Sequence, residues 1–191
     1  TTNPETVAFL NELLPAIRVP LVIDADGCNA IAQLGAKALK GTEGTVCLTP
    51  HPGEMARLLG SDTATVQGDR VAAAREAAQR YGAVVVLKGA RTVLADPDGA
   101  VAINLPGNPG MASGGVGDVL TGLIGGLCAR RLEPYEACQA GVYLHGYAGD
   151  LAAEQVGEIA LTASDLLEAL PRALVEIIES PAAPPSPVRL R

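Results

Sequence analysis

Three observations predict an α/β fold, a three-layer α/β/α arrangement with a mostly parallel sheet. Short, strongly apolar runs alternate with helical patterns along the chain. Those runs end in polar residues or glycine, as strands do whose carboxyl ends face a ligand cleft. The apolar content is aliphatic: 48% of the 191 residues are hydrophobic, only 3% are aromatic and Trp is absent. Ala, Val, Leu and Ile must therefore fill the core, and this length suits one domain of 1–179 with a tail.

Asn3-Pro4-Glu5 reads as an N-cap, a proline at the first helical position and an acid in the first turn, opening an amphipathic helix through about residue 14. Residues 20–24, Pro-Leu-Val-Ile-Asp, form a buried strand ending in acid, and Asp26 is placed to cap a helix from about residue 27. A second strand is predicted over 45–49. Pro52 then marks the start of a helix over 53–59. A longer helix over 69–81 leads to the β-branched strand 83–87. Residues 92–95 and 100–104 flank Asp96-Pro97-Asp98-Gly99, a turn of hairpin type. Apolar helices follow over 119–129 and 134–153, with Tyr143 and His145 in the core. Two shorter helices are predicted over 164–169 and 174–178. Residues 180–191 are proline-rich and expected to be disordered.

The densest signal for chemistry lies between Leu105 and Leu120, where Gly107, Gly110, Gly114, Gly115 and Gly117 precede a helix. Glycines so clustered let consecutive N–H groups point into one concavity with no Cβ in the way of an anion. A helix starting at Asp118 adds its free N–H groups and positive dipole end. Asp118 is the one charged side chain there, a poor phosphate ligand but a suitable base or metal-water partner, a plain turn with an Asp N-cap being the simpler reading that leaves the other glycines idle. If the loop holds a transferring phosphoryl group, the amides from Gly114 to Gly117, those of Gly115, Val116 and Gly117 included, form the anion hole and Asp118 deprotonates the accepting hydroxyl. There is no GxxxxGK[ST] pattern, which removes the P-loop class, and no GxGxxG opening a first βαβ unit.

Other strand ends supply further candidates. Lys88 closes the strand 83–87 and either reaches nucleotide phosphates or simply reaches solvent. His51, between two prolines, has a rigid backbone and a ring able to donate or accept near neutral pH. Glu54 is best read as favouring the helix dipole. Asp24 and Asp26 are candidates for ordering magnesium through water, although capping explains Asp26 equally well. Asn104 and Asn108 suit substrate contact or, more simply, loop stabilisation.

The net charge of −7 argues against nonspecific nucleic-acid binding and against anionic membrane surfaces. No signal peptide or bilayer-length apolar run is present. Cys28, Cys47, Cys128 and Cys138 lie apart in apolar stretches without metal-binding spacing, which fits reduced thiols and a cytoplasmic protein.

Together these residues resemble the catalytic domain of the NAD(P)H-hydrate dehydratases, within the ribokinase-like superfamily. The matching pieces are Val22-Ile-Asp-Ala-Asp26 with Asn29, Leu48-Thr-Pro-His-Pro-Gly-Glu54, Val86-Leu-Lys-Gly-Ala-Arg-Thr-Val93 and, most specific, the run from Gly107 to Gly122. Gly157 and Ala163-Ser-Asp165 extend the match. The resemblance implies repair of hydrated NADH and NADPH: ADP (or ATP), with Mg2+, phosphorylates the ring hydroxyl, and loss of phosphate restores the double bond. It implies that His51, Asp118 and Asn108 contact the hydrated dinucleotide. Lys88, Gly89, Ala90, Arg91, Thr92 and Gly117 contact the adenine nucleotide. It further implies a homotetramer and an association with an NAD(P)H-hydrate epimerase.

Two departures stand out: Val116 replaces a common Thr, and the family's amino-terminal portion, with its own glycine-rich segment, is not seen in the chain. The alternatives are a ribokinase-like kinase of a vitamin precursor, which shares the Gly-Val-Gly-Asp element, and an adenine-nucleotide-binding module without turnover.

Overall fold

The computed structural model describes residues 3–179; the proline-rich tail of 180–191 lies outside them. Helix α1 (Pro4–Leu13) opens as anticipated, the Asn3 side chain accepting from the Glu5 amide at 2.9 Å. The chain continues through β1 (Leu21–Ile23), α2 (Asp26–Leu34), β2 (Val46–Leu48), α3 (Pro52–Leu59), α4 (Thr63–Gly68), α5 (Arg70–Tyr81) and β3 (Val84–Leu87). The hairpin β4 (Val93–Ala95) and β5 (Val101–Ile103) follows, then α6 (Val116–Ala129), α7 (Pro134–Val156) and α8 (Ala163–Glu179).

The sheet order is β1-β2-β3-β4-β5. β1, β2 and β3 pair in parallel, β4 is antiparallel to β3, and β5 is antiparallel to β4. All strands but β4 therefore run in one direction, the mostly parallel sheet expected. The hairpin turn is held by Asp96, whose carboxylate accepts from the Ala100 amide at 2.8 Å, while Gly99 takes a φ of +99°.

Strand side chains alternate between two helical layers. Leu48, Val85, Leu87, Val93, Ala95 and Val101 pack with α2, α3, α4 and α5. Cys47, Val84, Val86, Leu94 and Ala102 face α6 and α7. Both sides of β3 are buried, which explains its uninterrupted Val-Val-Val-Leu sequence. A third cluster joins α6, α7 and α8 through Val116, Leu144, Leu151 and Leu166.

Four local expectations need correction. Residues 163–179 form one helix with Pro171 inside it, not two helices. Pro171 and Leu167 both lie on the exposed face, where water can satisfy the carbonyl that the missing N–H leaves free. Helix α4 was not anticipated; Asp62 caps it by accepting from Thr65 N–H at 2.7 Å. Asp26 is not a cap but lies in the first turn of α2, its carboxylate accepting from Asn29 at 3.2 Å. Tyr143 is half-buried and stacks on Tyr147, although His145 is buried as expected. Among the described residues, no helix is long and apolar enough to cross a membrane.

Candidate functional site

The carboxyl ends of β1, β2 and β3 and the first turn of α6 converge on one place. Lys88, directly after β3, donates to Asp24 Oδ1 at 2.5 Å, and Thr121 Oγ1 of α6 donates to Asp24 Oδ2 at 3.0 Å. Both charged side chains are largely buried, 21% exposed for Lys88 and 10% for Asp24. Burial pushes the Asp24 carboxyl up, but the Lys88 hydrogen bond and charge, with the Ala25 amide and the Thr49 hydroxyl, outweigh it and hold the group below its ordinary value. Ala25, which follows, has φ +48° and ψ −121°, a conformation costly for a residue with a Cβ and one that collects at functional sites.

The glycine loop sits on top of this pair. A Cβ built on Gly117 lies 3.4 Å from Lys88 Nζ and 3.5 Å from Asp24 Oδ2. Within the loop, the Val116 amide reaches Ser113 O at only 3.4 Å, and the first regular helical bond runs from Val119 N–H to Gly115 O at 3.2 Å. Among the described residues, the amides of Gly114, Gly115, Gly117 and Asp118 have no protein acceptor. Gly115 is left-handed at φ +85°, which turns the chain so that these donors gather at the positive end of α6. Asp118 is exposed beside them, and its carboxylate bonds to no other described residue. The helix begins at Val116, two residues earlier than the sequence suggested.

His51 closes one flank. Its Nδ1 accepts from Gly53 N–H at 2.9 Å, and Glu54 Oε2 accepts from His51 N–H at 2.8 Å, a reciprocal cap of α3. Because Nδ1 is an acceptor, the ring hydrogen sits on Nε2, 3.1 Å from Glu54 Oε1. Glu54 thus does more than complement the dipole: it is buried and engaged through both oxygens. Its carboxylate, that of Asp24 and the Cys28 thiol lie within 4.8 Å of one another. This cluster does not fit magnesium. Mg2+ demands hard oxygen ligands, whereas Cys28 is a thiol bonded to Ile23 O, with its pKa pushed up mainly by burial. The carboxylate oxygens are already held by Lys88, Thr121 and His51.

The segment from Lys88 to Thr92 adjoins the His51 segment, Lys88 N–H donating to Pro50 O at 2.8 Å. Gly89, at φ +136°, and Ala90 are exposed; Arg91, at φ +58°, reaches Leu105 O at 3.1 Å, and Thr92 Oγ1 donates to Gly89 O at 3.1 Å. Arg70, which carried no signal in the sequence, pins this turn by donating to Leu87 O at 3.0 Å and Lys88 O at 3.3 Å.

Helix α7 anchors the entrance to the glycine loop. Asp150 accepts from Gly107 N–H at 3.0 Å and from Asn108 Nδ2 at 2.9 Å, and Asn108 Nδ2 also donates to Gly149 O. With Oδ1 accepting from Gly110 N–H at 3.0 Å, Asn108 organises the loop. Asn104 does the same through Pro106 O at 2.9 Å. At the loop's far end, His145 Nε2 lies 2.9 Å from Val116 O. Gly115, Val116, Gly117 and Asp118 therefore share one turn, with Lys88 beneath it and His51 linked to it through Glu54 and Asp24. Asp150, Thr121 and Arg70 were missed; none of them stands out in the residue pattern, α7 itself carrying Glu136 and Glu154 as well as Asp150.

The chain is similar to several known proteins. A family model described as NAD(P)H-hydrate dehydratase matches residues 1–172. A bifunctional NAD(P)H-hydrate repair enzyme, Nnr, from Moorella thermoacetica is 53% identical over 177 residues, covering 93% of this chain and 33% of its own. The chain thus spans about a third of the length of that relative. The ADP/ATP-dependent NAD(P)H-hydrate dehydratase of Bacillus subtilis, co-crystallised with ATP/Mg2+, superposes with a TM-score of 0.82 at 34% identity, over 92% of this chain and 61% of that one. A ribokinase-like superfamily protein from Enterococcus faecalis gives 0.77 at 28% identity, over 92% and 60%.

Proposed function

Because the chain belongs to the NAD(P)H-hydrate dehydratase family, we propose that this protein returns hydrated NADH and NADPH to the intact cofactors at the expense of ADP or ATP. The observation that carries the reading is the turn from Gly114 to Asp118, where unpartnered amides gather beside an exposed carboxylate. Asp118 removes the proton of the hydroxyl on the damaged nicotinamide ring. The hydroxyl oxygen then attacks the terminal phosphorus of the nucleotide, the P–O bond to the leaving nucleotide breaks, and the amides hold the charge on the moving phosphoryl group. With ADP as donor, AMP departs. The C–O bond to phosphate then breaks as the neighbouring ring carbon loses a proton to solvent, which re-forms the ring double bond and releases inorganic phosphate, a far better leaving group than hydroxide.

Lys88, fixed by Asp24, lends positive charge beneath the loop, and Gly89, Ala90, Arg91 and Thr92 line the nucleotide. His51, with Asn108 at the loop entrance, faces the dinucleotide. Magnesium enters this reading as the counter-ion of the nucleotide phosphates, and no step depends on a protein cage for it. The proposal extends to a homotetramer, a surface for which exposed Leu167, Leu174 and Ile178 of α8 are suited. It also extends to an epimerase acting with or fused to this domain, and to the cytoplasm, where the four free cysteines stay reduced.

The test is Asp118→Asn in the purified protein, given hydrated NADH, magnesium and ADP or ATP while reduced-nicotinamide absorbance is followed. Nucleotide binding is expected to persist while turnover falls about 10²- to 10⁴-fold. Retained turnover overturns the base assignment. A stable phosphorylated product without recovered absorbance identifies a small-molecule kinase instead.

A further inference from the structure

We propose that His145 is a positioning residue for the anion loop, acting through the peptide group that joins Val116 to Gly117; this rests on the phosphoryl-transfer reading above. His145 lies on α7, is buried, and places Nε2 2.9 Å from the Val116 carbonyl oxygen. A carbonyl only accepts, so Nε2 carries the hydrogen and donates.

The consequence follows from peptide geometry. The Val116 C=O and the Gly117 N–H belong to one planar, trans unit and point in opposite directions. A donor that grips the oxygen from inside the protein therefore adds to the helical bond that Val116 O accepts within α6 and steadies the direction of the N–H on the other side. Gly117 has no side chain to steady it, and it sits in the first helical turn, where its N–H has no helical partner. Polarising the carbonyl also makes that N–H a stronger donor, because hydrogen bonds in series reinforce one another.

The same helix reaches the loop a second time, one turn further on. Asp150 holds Gly107 and Asn108 at the entrance, while His145 holds Val116 at the exit. α7 thus holds the loop at both ends.

Two variants separate this role from packing. His145→Gln offers an amide N–H at nearly the reach of Nε2, and His145→Leu fills the volume with no donor. Each is measured two ways: by the Gly117 amide resonance during titration with inorganic phosphate, and by kcat and KM for the nucleotide. In His145→Leu the phosphate-induced Gly117 shift is expected to vanish or to need at least about fivefold more phosphate. Its kcat should fall about 10- to 100-fold with nucleotide KM within about threefold, less than the loss of a whole oxyanion donor. His145→Gln should stay within about threefold of the parent in both. A leucine variant with an unchanged Gly117 response and unchanged kcat overturns the assignment, as does a glutamine variant as impaired as the leucine one. If the parent protein fails to dehydrate the hydrated cofactor while the Gly117 response still depends on residue 145, the functional reading falls and the positioning role stands.

Discussion

Gly146→Ala offers a quantitative probe of how tightly α7 holds the glycine loop. In the interior of a helix, replacing glycine by alanine normally stabilises by about 1 kcal/mol. Here the added methyl would lie 2.6 Å from Pro106 O, 2.9 Å from Pro106 C and 3.0 Å from Asn104 Nδ2. Two of these are backbone atoms, and Pro106 O is held by the buried Asn104 amide. Restoring a C···O separation of about 3.3 Å needs a displacement of about 0.7 Å, and the loop cannot swing away without breaking that bond. Overpacking of this kind costs about 1–3 kcal/mol and the lost bond about 1 kcal/mol. The net expectation is a loss of about 2 kcal/mol, or about 4–8 °C in Tm for a domain of this size. Urea titration followed by circular dichroism measures it, with the midpoint falling at constant m-value. Gly126→Ala in α6 is the control: nothing lies within 4 Å of its Cβ, so it should gain up to about 1 kcal/mol. A Gly146→Ala protein no less stable than its parent refutes the close approach of α7 to Pro106.

Two further outcomes follow from the same geometry. Asp24→Ala orphans the largely buried Lys88 ammonium and should cost about 2–4 kcal/mol at neutral pH. Because the folded pKa of Asp24 is depressed, its stabilisation is fully present above the unfolded value of about 3.9 and is lost as pH falls through the lower folded value. The gap between variant and parent in urea midpoints should accordingly hold at neutral pH and narrow only below about pH 3.9, and a gap that stays constant through that acid range contradicts the pairing. Asp150→Ala removes the acceptor for Gly107 N–H and Asn108 Nδ2 and should destabilise by about 1–3 kcal/mol. Hydrogen exchange at the Gly107 amide should accelerate about tenfold or more, and unaltered protection there counts against the anchor.

Much of this architecture is legible from residue patterns because local chemistry dictates it. The Val-Val-Val-Leu run of β3 reads as a strand since both of its faces are buried, and Asn3-Pro4 announces a helix through its own cap. Helix α4 escapes notice because Thr, Val and Gly are weak helix formers, so only Asp62 signals it. Pro171 suggests a break that the exposed face of α8 makes unnecessary. In the candidate site, the density of glycine points to the amide pocket and to Asp118. The pairing of Asp24 with Lys88 and Thr121 is invisible beforehand, because no pattern of period 2 or 3.6 relates residues brought together only by the order of strands in the sheet. His145 reads as a core residue, and it is one; that its ring nitrogen reaches the loop depends on how α7 crosses α6.

The Asp24 carboxylate joins partners 64 and 97 positions away along the chain, Lys88 and Thr121. Those links require β1, the end of β3 and α6 to be docked together, so the proposed nucleotide site rests on non-local contacts of the kind that form slowly. An adenine nucleotide that recognises it will therefore favour the finished molecule alone, raising the melting temperature in step with its concentration by mass action. Occupancy of the proposed site would then gauge whether β1, β3 and α6 have come together.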